Sequence, residues 1–264
     1  NSLKNNFSGN RVAVIGDLML DCYFLCGVSR VSPEAPVPVV EVDEEFFRFG
    51  GAMNVAYNIL KLGGIPFPIG VIGNDNEGKI IRKLMKDTRI TDKGIVIDPK
   101  RPTTAKTRVI ADKQHIVRID KEKTAAISPS TEKKILVLLK KELKKIDAII
   151  LQDYNKGVLT GNLIKQIIKL AESANIIVTV DPKFMNFFSY KNVTVFKPNR
   201  KETEDVFGIR IKTEEDITKA GFRLLEQLNC KYVLLTLGEK GIALFEKDKP
   251  ERTGFREINN YGNL

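Results

Sequence analysis

Tryptophan is absent from the 264 residues, histidine occurs once and cysteine three times. Cys22, Cys26 and Cys230 make an odd count with no Cys-x-x-Cys spacing, and His115 is the sole imidazole, so neither a disulfide framework nor a zinc site is supported. A lone imidazole without a serine or cysteine partner motif makes no catalytic triad, and His115 is read as structural or exposed. No stretch approaches the ~18 consecutive apolar residues that span a bilayer, and the opening NSLKNNFSGN lacks the apolar centre of a secretory leader. A cytoplasmic protein that engages no membrane is expected.

The 14 Phe and 6 Tyr do not interleave with runs of Arg and Lys, which argues against a base-stacking nucleic-acid surface. Yet 43 Lys and Arg against 33 Asp and Glu give a net charge of +10. A chain this basic attracts anions, and small phosphorylated molecules become the expected partners. Hydrophobic residues at 42% suffice to fill the core of one large domain. The basic run Lys140, Lys141, Lys144 and Lys145 reads as the wet side of a helix.

Periodicity divides the chain into two kinds of segment. Residues 11–16 (RVAVIG) form a short apolar run ending in Gly-Asp, as a buried parallel strand does where it opens into a loop. Apolar residues from 51 to 62 recur at helical spacing, a strand is expected over 68–73, and Asp75 can cap the helix that follows. From 130 onward helices and strands alternate: helix 130–145, strand 147–151, helix 160–173, strand 176–180, strand 193–196, helices 201–207 and 214–228, strand 232–237. That alternation specifies an α/β fold, a mostly parallel sheet with helices on both faces. Residues 22–49 and 94–120 differ, being β-rich with alternating charge, and are expected to form a small β-sheet lid outside the main core. No internal repeat or linker divides the chain, which is read as a single domain.

The segment Gly73-Asn-Asp-Asn-Glu-Gly78-Lys79-Ile80 nearly spells a phosphate-binding loop, but Ile80 stands where a Ser or Thr must hold Mg2+. Asp75 and Glu77 would also repel phosphate, so the segment reads as a helix cap. Lys183, Asn199, Glu202, Thr236, Gly238 and Gly241 all follow expected strand ends, along one edge of the sheet where a crevice could hold a nucleotide. Taken singly, Glu202 could be an ordinary first-turn carboxylate and the 236–241 segment a plain strand-to-strand turn. Lys106, Arg108, Gln114, Arg118 and Asp120 lie on adjacent short strands, and Lys156 follows Asp153-Tyr154. Such a cluster could grip a phosphate, or be a solvated charged face.

Gly16-Asp17-Leu-Met-Leu-Asp21, Ser32-Pro-Glu-Ala-Pro-Val-Pro38, Gly50-Gly51-Ala-Met-Asn54, Arg101-Pro-Thr-Thr-Ala-Lys-Thr-Arg108 and Asp153-Tyr-Asn-Lys-Gly157 together resemble the ribokinase-like (PfkB) carbohydrate kinases. The Gly-Gly-x-x-Asn and Asn-x-x-Glu patterns belong to that family broadly. Ser32–Pro38, Arg101–Arg108 and Asp153–Gly157 point much more narrowly to its heptose 7-phosphate kinases, and the similarity runs from about Arg11 to Phe245. The resemblance implies a ribokinase-like fold and ATP-dependent phosphorylation of D-glycero-D-manno-heptose 7-phosphate at the anomeric hydroxyl. The product would be the 1,7-bisphosphate, a precursor of ADP-heptose and lipopolysaccharide.

Carried over residue by residue, the resemblance has Asp17 and Asn54 hydrogen-bonding sugar hydroxyls and Gly50-Gly51 admitting the sugar to the helix start. Asp21 either assists or braces the loop. Arg108, Gln114, Arg118 and Lys156, with Asp120 and Asp153 beside them, would orient the substrate and its phosphate. Lys183, Asn199 and Glu202 would face the ATP phosphates and Mg2+, and Thr236, Gly238 and Gly241 would line the nucleotide. A homodimer through the lid strands is also implied.

One family feature is missing. The D-x-T-G-A-G-D loop, whose Asp is the family's general base, does not occur after Phe245, where the chain reads EKDKPERTGFREINNYGNL. No catalytic residue is therefore assigned. The loop and its following helix are expected to belong to polypeptide not represented in these 264 residues, because one apolar sheet face would otherwise be bare. Two alternatives fit the same residues: another sugar kinase of the family, or a non-catalytic sugar-phosphate or nucleotide-binding protein.

Overall fold

The hexapeptide 11–16 becomes β1 (Arg11–Gly16), an interior strand of a nine-stranded sheet, in a computed structural model that describes residues 7–247 and 254–256. Its neighbours are β4 (Ile65–Ile72) and β8 (Ala148–Gln152), both parallel to it. Beyond β4 lies β5 (Ile95–Ile97). Beyond β8 follow β9 (Ile177–Asp181), β10 (Val195–Phe196), β11 (Tyr232–Thr236), β12 (Ile242–Glu246) and β13 (Gly254–Arg256). Only β12 and β13 run antiparallel.

Strand alternation in β1 divides the core into two layers. Ala13 and Ile15 pack in one cluster with residues of α3 (Pro129–Glu142), α4 (Gly161–Ser173) and α6 (Glu214–Leu228). Val12 and Val14 face the other way, onto Ala52, Met53 and Ala56 of α1 (Gly51–Lys61) and Ile81 and Met85 of α2 (Asn76–Asp87). A side chain so buried contributes roughly 1.5–3 kcal/mol, which makes the period-2 pattern of β1 a strong constraint on register. On the α1 side, Ile177 and Leu244 remain 52% and 41% exposed.

The second sheet has the order β3-β2-β6-β7, with β2 (Leu18–Val31), β3 (Pro38–Gly50), β6 (Thr104–Ala111) and β7 (Gln114–Lys121). It starts earlier than the expected residue 22, because Leu18 and Leu20 carry the strand straight out of β1 while staying in the α1 and α2 core. The expected lid segment at 94–120 is also divided. Ile95–Ile97 joins the large sheet beside β4, and the lid resumes only at Thr104.

Strand β4 begins at Ile65 and contains Pro66 and Pro68. Proline lacks the N–H that a sheet neighbour would accept, and here β5 does not begin pairing until Gly70, so these positions lie on an unpaired edge. The near-match to a phosphate loop is a helix start: the Asp75 carboxylate accepts from the backbone N–H of Gly78 and from Thr103. Residues 246–264, where the family's catalytic loop does not occur, lie largely outside the described residues.

Candidate active site

Every parallel strand delivers its carboxyl end to one rim of the large sheet, and Asp17 stands on that rim immediately after β1. Its carboxylate is 1% exposed and accepts three backbone N–H bonds, from Tyr154 at 2.8 Å, Lys156 at 3.1 Å and Val158 at 3.2 Å. Burial raises the Asp17 pKa above the ordinary carboxylate value, and the three donors only partly oppose it. The Asp17 carbonyl accepts from Ala52 N–H at 2.9 Å at the start of α1. With both carboxylate oxygens engaged by the 154–158 loop, Asp17 fixes that loop to α1. Asp153 is likewise buried and inward, accepting from Tyr190 Oη at 2.6 Å and from Asn155 N–H at 2.8 Å.

Asp21, four residues on, faces a cavity of about 550 Å3 whose walls include Asn54, Tyr23 and Arg48. Gly50 makes room for it, since a Cβ there would come within 2.8 Å of the Asp21 carboxylate. Gly51 is required by its backbone: φ is +54°, and a Cβ would lie 2.3 Å from the Asp17 carbonyl oxygen.

Register places the lid's charges in two transverse rows on one face. Arg48, Asp21, Lys106 and Asp120 are successive partners across β3, β2, β6 and β7. Phe46, Tyr23, Arg108 and Arg118 form the next row. Arg108 donates to Asp21 Oδ1 at 2.7 Å and lies 5.1 Å from the centre of the Tyr23 ring, while Tyr23 stacks on Phe46 at 4.8 Å. Burial opposes the charge of Arg108, but Asp21 outweighs it and the pKa rises.

A chain of ion pairs leads from this face to the sheet rim. Asp120 pairs with Arg118 and with Lys106 at 3.0 Å, Lys106 lies 3.5 Å from Glu122, and Glu122 holds Lys156 Nζ at 2.8 Å. The Lys156 hydrogen bond keeps the Glu122 pKa below its ordinary value. The structure thus gathers Asp21, Asn54, Arg108, Arg118, Asp120 and Lys156 around the lid and the α1 start. Gln114 is separate: it lies at the tip of the β6–β7 hairpin, opposite Ala111, about 20 Å along the strand from Asp120 at ~3.4 Å per residue.

The nucleotide candidates occupy the neighbouring stretch of rim. Asn199 and Glu202 form a reciprocal capping box on α5 (Arg200–Phe207), so both do local work as well as any contact with ligand. Lys183 Nζ pairs with Glu202 and lies 6.0 Å from the Tyr154 ring. Burial disfavours the Lys183 charge, but Glu202 more than compensates and its pKa rises. Asn199 bridges to Thr236. Gly238 and Gly241 lie in a tight turn into antiparallel β12, where Leu237 N–H reaches the Gly241 carbonyl. A side chain at Gly238 would meet nothing within 4 Å, so the turn surface there is open.

Tyr154 joins the two halves: its N–H belongs to Asp17 and its ring approaches Lys183. Among the described residues no group of three or more His, Cys, Asp or Glu is arranged to hold a metal ion. The rim carboxylates Glu202 and Asp181 are each paired with a lysine, Asp181 with Lys197 at 3.0 Å. Such a donor set suits a Mg2+ carried mainly by nucleotide phosphates rather than a protein cage. No helix of the described residues is long and apolar enough to cross a membrane.

Arg48, Tyr23, Glu122 and Tyr154 are the site residues that sequence reasoning passed over. Period-2 spacing gave a usable signal for Arg48, two residues before Gly50, and for Glu122, two after Asp120. Tyr154 lies within the Asp153–Gly157 motif, but its spacing gives no signal for its own contacts.

The model of the pfkB family carbohydrate kinases matches residues 10–256. The bifunctional protein HldE of Geobacter sulfurreducens is 44% identical over 232 residues, covering 88% of this chain and 47% of that protein. HldE of Helicobacter pylori (strain HPAG1) is 41% identical over 238 residues, covering 90% and 51%. The chain therefore spans about half the length of the curated relatives it matches. Among solved structures, Arabidopsis thaliana ribokinase complexed with ribose and ATP superimposes with a TM-score of 0.69 at 19% identity, covering 95% of this chain and 78% of that one. Escherichia coli phosphofructokinase-2, in its tetrameric inhibited form, gives 0.68 at 19% identity, covering 90% and 77%. Both likenesses show the ribokinase-like fold.

Proposed function

The chain belongs to the pfkB family of carbohydrate kinases, and we propose that it transfers the γ-phosphoryl group of ATP to the anomeric hydroxyl of D-glycero-D-manno-heptose 7-phosphate. The product would be the 1,7-bisphosphate, an intermediate toward ADP-heptose and lipopolysaccharide. The observation that carries this reading is the composition of the lid face and its approach to the rim. Five cations, Arg48, Lys106, Arg108, Arg118 and Lys156, accompany three carboxylates, Asp21, Asp120 and Glu122, beside the cavity that Asn54 lines. An unphosphorylated sugar gives no reason for that excess of positive charge. A sugar already bearing a phosphate does. The narrow motifs at 32–38, 101–108 and 153–157 support the heptose phosphate within this class.

In the proposed complex Asn54 and Asp21 hold sugar hydroxyls, Gly50 and Gly51 let the ring approach the α1 start, and Arg108, Arg118 and Lys156 receive the 7-phosphate. Lys183 faces the nucleotide phosphates, Asn199 and Glu202 shape that end of the rim, and Thr236, Gly238 and Gly241 line the nucleotide. A bound Mg2+ would supply charge neutralisation at the nucleotide phosphates, and Glu202 and Asp181 are the carboxylates that would hold it. Phosphoryl transfer asks mainly for alignment and charge compensation, which this rim provides. Lid closure would exclude water from the reacting phosphate. None of the 264 residues is assigned as general base.

The apolar residues Val42, Val117 and Ile119 of the lid are 55%, 48% and 56% exposed, and a homodimer through the lid strands would cover such a surface. Light scattering tests it: a monomer at micromolar concentration excludes the dimer. For the reaction, an ATP-consumption assay on the complete protein is expected to favour heptose 7-phosphate strongly over unphosphorylated sugars. Equal turnover of a ribose or fructose derivative would point to a different kinase of the family, and calorimetric binding without turnover to a non-catalytic role.

A further inference from the structure

We propose that Arg101 is a positioning residue that holds the Lys156 loop and the base of the lid in one register, so that Lys156 reaches the substrate phosphate only with the lid seated. What Lys156 does there rests on the reading above; the coupling itself does not. Arg101 opens the Arg-Pro-Thr-Thr segment, and no part of the proposed chemistry uses it. It is nevertheless one of the few buried charged residues, at 7% exposed.

Its guanidinium donates to three backbone carbonyls: Lys123 at 2.8 Å, Lys156 at 2.6 Å, and Ala125. A buried cation without a carboxylate partner is costly, and only a planar fork of several N–H donors can meet three carbonyls together. Burial holds its pKa below the ordinary arginine value despite Asp17 and Asp98, so the site is not built for stability of the charge. It is built around the acceptors.

Those acceptors belong to the two segments that matter. Residues 122–127 lead out of β7 and return the lid to the body, and residue 156 carries the phosphate-binding lysine. The Lys156 N–H is held by Asp17 and its carbonyl by Arg101, so two buried charges of opposite sign pin the same residue from either side. Its Nζ meets Glu122, on the lid segment next to Lys123. Gly157 lets the segments touch, since a Cβ there would lie 2.3 Å from the Ala125 carbonyl oxygen, and Ile127 N–H closes on the Gly157 carbonyl at 2.9 Å. Arg101 itself leads through Thr103 into β6, the other strand of the hairpin.

The test is Arg101→Lys in the complete protein, which keeps the charge and removes the fork. Amide exchange measured without substrate should accelerate at Lys156 and across 122–127, while exchange in α4 and β11 stays at the wild-type rate. The KM for heptose 7-phosphate should rise about tenfold or more, the scale of one charge-assisted hydrogen bond, with the KM for ATP unchanged. Unchanged exchange at these amides overturns the proposal. So does a lowered Tm with both KM values rising equally, which is the mark of a general brace. If wild-type protein turns over no sugar phosphate, the functional reading fails while the exchange result still decides the coupling. Should Arg101→Lys not fold, Gly157→Ala forces the same junction apart and must give the same exchange pattern.

Discussion

Asp17→Asn changes one atom of a side chain whose environment is fully specified. Aspartate presents two acceptor oxygens to three N–H donors, Oδ2 to Tyr154 and Lys156 and Oδ1 to Val158. Asparagine keeps one oxygen. Placed toward Tyr154 and Lys156, it turns its own NH2 at the Val158 N–H, leaving that donor buried without a partner. An orphaned buried donor costs about 1–3 kcal/mol, and the two surviving bonds lose their charge assistance. Relief of the desolvated carboxylate offsets part of this, so a net loss of ~2 kcal/mol is expected.

The sign with pH follows from the raised pKa. A carboxyl whose folded-state pKa exceeds its unfolded value contributes stability in full below the unfolded value and loses it as pH rises through the folded one. The gap between wild type and the variant should therefore narrow from acidic pH upward and then level. Urea unfolding across pH gives the size, and amide exchange at 154, 156 and 158 gives the place. Full stability with only a raised sugar KM would refute the reasoning and return Asp17 to the sugar.

Arg108→Ala should weaken sugar-phosphate binding by about 1.5–3 kcal/mol and binding of an unphosphorylated analogue by clearly less; calorimetry with both ligands separates the outcomes. Gly51→Ala, with φ at +54° and a Cβ 2.3 Å from the Asp17 carbonyl oxygen, should destabilise by at least ~1 kcal/mol in urea, and an unchanged midpoint would contradict the required backbone. Cys230 is fully buried and burial pushes its thiol up to about 11, so a thiol reagent at mildly alkaline pH should leave it unmodified until the protein unfolds.

The alternation of apolar strand runs with amphipathic helices after residue 130 is enough to specify a parallel sheet covered by helices, because each such element must bury one face against another. Local hydrogen bonding was legible at Asp75, which caps the helix that follows it, whereas the caps made by Thr160 and Asn199 emerge only in the structure. The motifs that carry the family resemblance are likewise contiguous stretches. Pairing across the chain has no local period and leaves no such trace. The partners of Asp17 lie 137, 139 and 141 residues away, and nothing at 17 distinguishes a carboxylate that meets a sugar from one that meets three amides. Only packing buries it. The same holds for Arg101 between two distant segments, for Gln114 at the far end of its hairpin, and for Ile95–Ile97, whose apolar run fits either sheet until the free edge of β4 claims it. Periodicity fixes which face a residue presents; which group it meets there depends on chain segments that approach only once the core has formed.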